Sequence, residues 1–122
     1  MRRFFILLFA MLYLFSYANQ EQIVLTQKGP KHDREGMPLY FDIPIVYYNH
    51  DNKTQEIIID GGGAVSYYDV EISLPVSNYV EISTQVNGTY DIFDISLLAP
   101  GSHVITIESP SGNIYEGTFT TY

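Results

Sequence analysis

The alternation of apolar and polar side chains along residues 68–74 is the feature of this sequence that most constrains its fold. The intervening positions are polar, and the alternate positions are large and mostly apolar: Tyr68, Val70, Ile72 and Leu74. Successive side chains of a strand point to opposite faces, so this period of two predicts a strand with one buried face and one wet face. Similar alternation recurs along the chain, whereas no window of useful length has apolar residues at helical spacing. Only two alanines follow residue 18, while Ile, Val, Thr and Tyr are frequent, which also favours strands over helices.

Further strands are predicted before this one. The stretch 43–60, IPIVYYNHDNKTQEIIID, contains two strand-like runs joined by a turn near Asp51 and Asn52. Residues 57–59 are three consecutive isoleucines, and a run without alternation predicts a central strand covered on both sides. Three glycines at 61–63 end this strand, and EQIVLTQ at 21–27 is interpreted as an extra edge strand.

After Leu74 the chain turns at residues 75–78, and alternating Val and Ile residues predict a strand that ends near Val86. Asn87 and Gly88 then predict a tight hairpin turn, because both residue types tolerate the positive φ that such turns require. The alternation changes phase around Phe93, which predicts a bulge or a crossing between sheets at that point.

The chain closes with a predicted hairpin after a corner at Pro100 and Gly101. Ser111 and Gly112 provide its turn, and the apolar positions on both sides alternate. One face of this hairpin is therefore expected to be buried: His103, Ile105, Ile107, Tyr115, Gly117 and Phe119. Short strands at spacings near ten residues predict an all-β fold, an immunoglobulin-like antiparallel β-sandwich of about seven strands.

The first eighteen residues have the pattern of a secretory signal peptide. Arg2 and Arg3 precede an apolar run, and Ser16 and Ala18 supply the small residues that signal peptidase recognises. The run is shorter than a bilayer span requires. We therefore expect residues 1–18 to be removed and residues 19–122 to form a single domain, secreted or periplasmic at a bacterial cell envelope. The absence of cysteine excludes disulfide staples.

The closing stretch DISLLAPGSHVITIES, followed by GNIYEGTF, resembles a small secreted Bacteroidetes family of unknown function, domain of unknown function 3244. The stretch REGMPLYFDIPIVYYNHDNKTQEIII at 34–59 is similar to the lead-in and first hairpin of that family. His103 stands where the family usually has a tyrosine. The resemblance implies an immunoglobulin-like sandwich and an extracytoplasmic location, and it brings no established activity.

Charge and motifs exclude several classes of function. The net charge is −8, which disfavours nucleic acids and anionic membranes as partners. His32, His50 and His103 have no spacing that would bring two of them to one metal. Residues 61–63 are glycines but lack the nucleophile or the lysine that would make them a catalytic or phosphate-binding loop. We therefore predict a protein that is not an enzyme and has no metal or cofactor.

The candidates for a binding site lie on the outward face of the strand that starts near Tyr67. Tyrosine beside carboxylates can stack on a sugar or anchor a protein, which singles out Tyr67, Asp69 and Glu71. Half-buried surface tyrosines are also common without any such role. We predict a non-catalytic module that binds protein or glycan. One alternative is an assembly subunit that pairs through an edge strand, and the sequence is compatible with a homo-oligomer. The other alternative is a free-standing protein similar to a sorting domain.

Overall fold

The computed structural model describes residues 20–30, 42–51 and 54–122. The predicted signal peptide and His32 lie outside these residues. The described part of the chain contains nine strands and no helix. The strands are β1 (Gln20–Ile23), β2 (Thr26–Pro30), β3 (Ile45–His50), β4 (Gln55–Asp60), β5 (Tyr67–Ser73), β6 (Val80–Asn87), β7 (Tyr90–Asp94), β8 (Gly101–Glu108) and β9 (Asn113–Thr121). Accordingly, nothing in these ranges has the length and hydropathy of a membrane-spanning helix.

The strands form two antiparallel sheets that pack face to face. One sheet has four strands in the order β1-β3-β4-β7, and the other has five in the order β2-β9-β8-β5-β6. The predicted all-β class is therefore confirmed, with nine strands rather than about seven. The predicted edge strand near residue 21 is two strands, because β1 pairs with β3 and β2 pairs with β9. The chain thus crosses from one sheet to the other at Val24 and Leu25.

The inner faces of the two sheets form a single apolar core. On the five-stranded sheet, Val70 lies opposite Ile107 and Ile72 lies opposite Ile105, and all four side chains are fully buried. The four-stranded sheet covers them with a matching set of buried residues: Val46, Tyr48, Ile57 and Ile59. The alternation along β5 and β8 therefore predicted the correct buried face.

Ile105→Ala is expected to destabilise the protein by about 3 kcal/mol, because the side chain is fully buried and the truncation leaves a cavity. Thr106 follows Ile105 on β8 and points to the other face, so Thr106→Ala should change stability by no more than about 0.5 kcal/mol. Urea denaturation of both variants measures the difference. Equal losses would contradict the register of β8.

The predicted hairpin at Asn87 and Gly88 is wrong. β6 pairs with β5 and β7 pairs with β4, so these two residues carry the chain from one sheet to the other. Neither residue has a positive φ. Glycine is needed at position 88 for another reason, because a Cβ there would lie 2.0 Å from the carbonyl oxygen of Val65.

Two expectations about neighbouring strands are also corrected. β7 pairs with β4 without a register shift, so the chain neither bulges nor crosses at Phe93. The phase change arises because β7 has apolar side chains on both faces, with Tyr90 and Ile92 on the outer face. Ile58 is in a central strand as predicted, but its outer side is only half-buried. Both corrections concern the outer face of the four-stranded sheet.

Candidate binding surfaces

The predicted candidates Tyr67, Asp69 and Glu71 lie on the outer face of β5, as expected. Asp69 and Glu71 are exposed, and Tyr67 is half-buried. Asp69 lies opposite Glu108 of β8 and Glu71 lies opposite Thr106. These four residues and Ile114 of β9 line a shallow depression of about 210 Å³. The structure thus brings two of the three candidates together and leaves Tyr67 outside the lining.

The depression is acidic and polar. Its three carboxylates come from Asp69, Glu71 and Glu108, and Gln85 donates a hydrogen bond from Nε2 to Asp69 Oδ1 at 3.2 Å. Within the described ranges, no group of three histidine, aspartate or glutamate side chains is arranged to hold a metal ion. Chemically, the depression can accept hydrogen bonds from hydroxyl or ammonium groups of a ligand.

The outer face of the four-stranded sheet is different, because its centre is apolar. The β-ladders place Ile58 of β4 directly between Tyr47 of β3 and Ile92 of β7. In the adjacent row, Asp60 lies between Ile45 and Tyr90. We call five of these residues the apolar face: Ile45, Tyr47, Ile58, Tyr90 and Ile92. Ile45, Tyr90 and Ile92 are 43–52% exposed.

The corresponding outer face of the five-stranded sheet has a composition typical of a solvated surface. Its central ladder places Ser83, Glu71, Thr106 and Glu116 side by side across β6, β5, β8 and β9. Hydroxyl and carboxylate side chains of this kind interact favourably with water. The two outer sheet faces therefore differ, because only that of the four-stranded sheet has an apolar centre, and an apolar patch of this kind is a candidate interaction site.

A buried carboxylate lies at one end of the sandwich, just before β3. Asp42 is fully buried, and its carboxylate accepts hydrogen bonds from Ser111 Oγ at 2.7 Å and from Asn113 Nδ2 at 3.1 Å. Tyr115 Oη donates to the same carboxylate. Tyr68 Oη donates to the backbone carbonyl of Asp42 at 2.7 Å. This network ties the entry to β3 to the turn between β8 and β9.

The network determines the protonation of its members. Burial disfavours the charged form of Asp42, but hydrogen bonds from the Ser109, Tyr115, Ser111 and Asn113 side chains outweigh it and lower the pKa of this carboxyl. Burial, together with the charge of Asp42, raises the pKa of Tyr68 to about 12. Burial and the hydrogen bond to Asp42 also raise the pKa of Tyr115. An ionised carboxylate is therefore held by neutral donors, which is a structural arrangement rather than a reactive one.

His103 is the centre of a second buried polar cluster. Its ring is 1% exposed, with Nδ1 2.6 Å from Glu81 Oε1 and Nε2 2.9 Å from the carbonyl oxygen of Ala99. The expected burial of His103 is confirmed. The Nε2 atom thus contacts the backbone four residues upstream in the chain.

A β-bulge explains how Glu81 reaches the interior. Ile72 of β5 pairs with Ile82 of β6, whereas Ser73 pairs with Val80, so Glu81 is the extra residue on β6. A bulge re-aims the side chain of the residue it adds. Simple alternation would place Glu81 outside when Ile82 is inside. Only the register shift allows both to face the core side.

His50, the last residue of β3, packs against aromatic side chains. Its ring lies between two tyrosines, with its centroid 5.1 Å from that of Tyr48 and 4.9 Å from that of Tyr122. The side chain of Gln55 bridges the same two tyrosines, because it accepts from Tyr48 Oη and donates to the Tyr122 carbonyl oxygen. His50 therefore contributes to packing at this end of the sandwich.

Sequence analysis did not identify Asp42, Glu81 or the apolar face. The signal for the apolar face was present, because the apolar residues that break the alternation in β4 and β7 are those on the outer side. The partners of Asp42 and Glu81 depend on a long-range contact and on a bulge, respectively. Neither leaves a short-range pattern.

Comparison with known proteins supports the fold. The sequence matches no protein-family model, and none of the curated proteins matches it. The structure is similar to the crystal structure of a DUF3244 family protein with an immunoglobulin-like β-sandwich fold from Bacteroides vulgatus, with a TM-score of 0.60 and 11% sequence identity. The match covers 84% of this chain and 99% of that chain. The predicted immunoglobulin-like fold and the resemblance to that family are thus confirmed by structure, and at this identity the similarity establishes the fold alone.

Proposed function

We propose that this protein is a non-catalytic binding module and that it binds a protein partner through the apolar face of its four-stranded sheet. The observation that carries the proposal is the row Tyr47, Ile58 and Ile92, which lies across three strands on the outside of the sandwich. The exposed Ile92 and the half-buried Tyr47 and Ile58 are suited to a protein surface, because their full burial in a complex removes apolar area from water.

The proposed location is the periplasm or the outside of a bacterial cell. It rests on the signal-like first eighteen residues and on the absence of cysteine. In that compartment the module has no catalytic role. The polar clusters around Asp42 and His103 support this view, because their hydrogen-bonding atoms are engaged with one another inside the fold.

The proposal is tested by capturing partners from a native cell envelope with matched serine variants on the two sheets. Ile58→Ser changes the centre of the apolar face, and Ile114→Ser makes the same change beside the depression of the other sheet. We expect Ile58→Ser to reduce recovery of the partner at least about tenfold. A tenfold loss of affinity corresponds to about 1.4 kcal/mol of binding free energy, which is typical of an important interface residue. Ile114→Ser should leave recovery unchanged. Equal recovery with both variants would overturn the proposal, provided that urea denaturation shows both variants folded.

A glycan is a second candidate ligand, and the depression on the five-stranded sheet favours it. Asp69, Glu71 and Glu108 present acceptors for sugar hydroxyl or amino groups, and Tyr67 lies one row away on the same face of β5. A glycan array that compares the wild type with Asp69→Asn tests this second candidate. Binding that does not depend on Asp69 would rule it out.

Assembly through an edge strand is less favoured by the structure at β6 and β7. The Asp91 carboxylate accepts hydrogen bonds at 2.9 Å from the backbone amides of both Asn87 and Ile92. These two donors are therefore not available to an added strand. The bulge at Glu81 also interrupts the edge of β6, and both devices discourage edge-to-edge pairing. Light scattering at increasing protein concentration tests the alternative, and growth in size would support it.

A further inference from the structure

We propose that the partner of the apolar face is a cationic protein and that its contact surface alternates cationic and apolar side chains. This inference rests on the proposed function and specifies the chemistry of the partner. It follows from the carboxylates that surround the apolar face.

The outward residues of β4 set the pattern of the surface. They are Glu56, Ile58 and Asp60, so one carboxylate lies two residues before the central isoleucine and another lies two residues after it. At about 3.4 Å per residue, these three side chains are spaced about 7 Å apart along the strand. A complementary surface therefore needs an apolar group at its centre and a positive charge about 7 Å away on each side.

Neighbouring strands extend the same arrangement. Asp94 of β7 lies opposite Glu56, and Asn49 of β3 lies opposite it on the other side. Hydrogen bonds from the Ser96 side chain and backbone lower the pKa of Asp94, so this exposed carboxylate is ionised at neutral pH. Two carboxylates thus lie on one side of the row Tyr47, Ile58 and Ile92, and Asp60 lies on its other side.

No described residue compensates this charge. Lys28 is the only lysine or arginine in the described ranges, and it lies on the other sheet, 3.7 Å from Glu116. Two copies of this chain stacked through their apolar faces would bring the carboxylates of both copies together, and each chain has a net charge of −8. Like charges brought together at an interface disfavour the contact. A cationic partner gains instead from both the apolar centre and its acidic surroundings.

The probe for this proposal is a cyclic β-hairpin peptide whose one face carries lysine, leucine and lysine at alternate positions. Two control peptides replace the lysines with glutamate or the leucine with serine. We expect binding of the lysine–leucine peptide to the full chain by titration calorimetry, weaker binding of the serine peptide and no binding of the glutamate peptide. Binding should weaken with added salt, because exposed charges are screened.

The acidic surroundings are tested with Glu56→Gln and Asp60→Asn in one variant. The asparagine side chain introduced by Asp60→Asn keeps the acceptor oxygen that the Gly62 amide uses, so the turn is preserved. The variant is expected to bind the lysine–leucine peptide about five- to tenfold more weakly, because it loses two exposed ion pairs with the lysines of the peptide. Asp69→Asn with Glu71→Gln removes the same charge from the opposite sheet and should bind as the wild type does.

The outcomes separate this inference from the proposed function. Equal losses in the two charge variants, or binding of the glutamate peptide, would overturn the cationic partner and leave the apolar face intact as a docking surface. Unchanged binding with Ile58→Ser would overturn the docking surface itself. Self-association of the wild type that Ile58→Ser abolishes would identify a second copy as the occupant and would also overturn the inference.

Discussion

Replacing Asp42 with alanine is expected to destabilise the protein by about 3 kcal/mol, because the change removes hydrogen bonds to a carboxylate and leaves the buried Tyr115 hydroxyl without an acceptor. The Ser111, Asn113 and Tyr115 side chains all donate to this carboxylate in the folded protein. Without it the buried Tyr115 hydroxyl lacks an acceptor, whereas the half-buried Asn113 and the exposed Ser111 can turn to water. Urea denaturation at neutral pH measures the loss. Asp69→Ala is the matched control, because Asp69 is an exposed carboxylate whose removal should change stability by about 0.5 kcal/mol or less.

Asp42 also predicts how stability depends on pH. Its hydrogen bonds lower its pKa in the folded protein below the usual 3.8, so the unfolded chain binds this proton more readily. The stability that Asp42 contributes is therefore fully present above the unfolded pKa and is lost as the pH falls through the folded pKa. We expect wild-type stability to decline below about pH 4 more steeply than that of Asp42→Asn. Parallel acid profiles for the two proteins would contradict this role.

The alternation of single strands predicted most of the fold. β5 has a strict period of two, β8 departs from it only at the outward Val104, and their buried residues are those that the pattern indicated, including Ile72, Ile105 and Ile107. Local turn signals at Gly101 and Gly112 were also correct, because both residues have a positive φ. Alternation and turn chemistry are short-range properties, and the sequence displays them directly.

The choice of sheet for each strand could not be predicted in the same way. Asn87 and Gly88 have the composition of a hairpin turn, yet the chain crosses between sheets there because β4 provides the partner of β7. The crossing at Val24 has no turn signal in the sequence either. Which strands pair depends on contacts between residues far apart in the chain, and a local pattern does not contain them.

The candidate surfaces illustrate the same limit. Asp69 and Glu71 were predicted to be exposed on one face, but Glu108 joins them only because β8 lies beside β5. The apolar face requires β3, β4 and β7 to be neighbours. The sequence pattern indicates that Ile58 is buried on both sides and that Ile92 belongs to a change of phase. It does not show that no further layer covers the outer face of this sheet.

Glu81→Ala is expected to cost about 2–3 kcal/mol, because it leaves Nδ1 of the buried His103 ring without its hydrogen-bond partner. The same ring keeps its contacts with the Ala99 carbonyl and with Thr121 Oγ1 at Nε2. Glu81→Gln retains an acceptor oxygen and should cost about 1 kcal/mol. Glu71→Ala removes a carboxylate from the exposed face of the paired strand and should change stability by about 0.5 kcal/mol or less. Thermal and urea unfolding of the three variants measure these differences, and equal losses for Glu81→Ala and Glu71→Ala would show that the bulge on β6 does not hold Glu81 against His103.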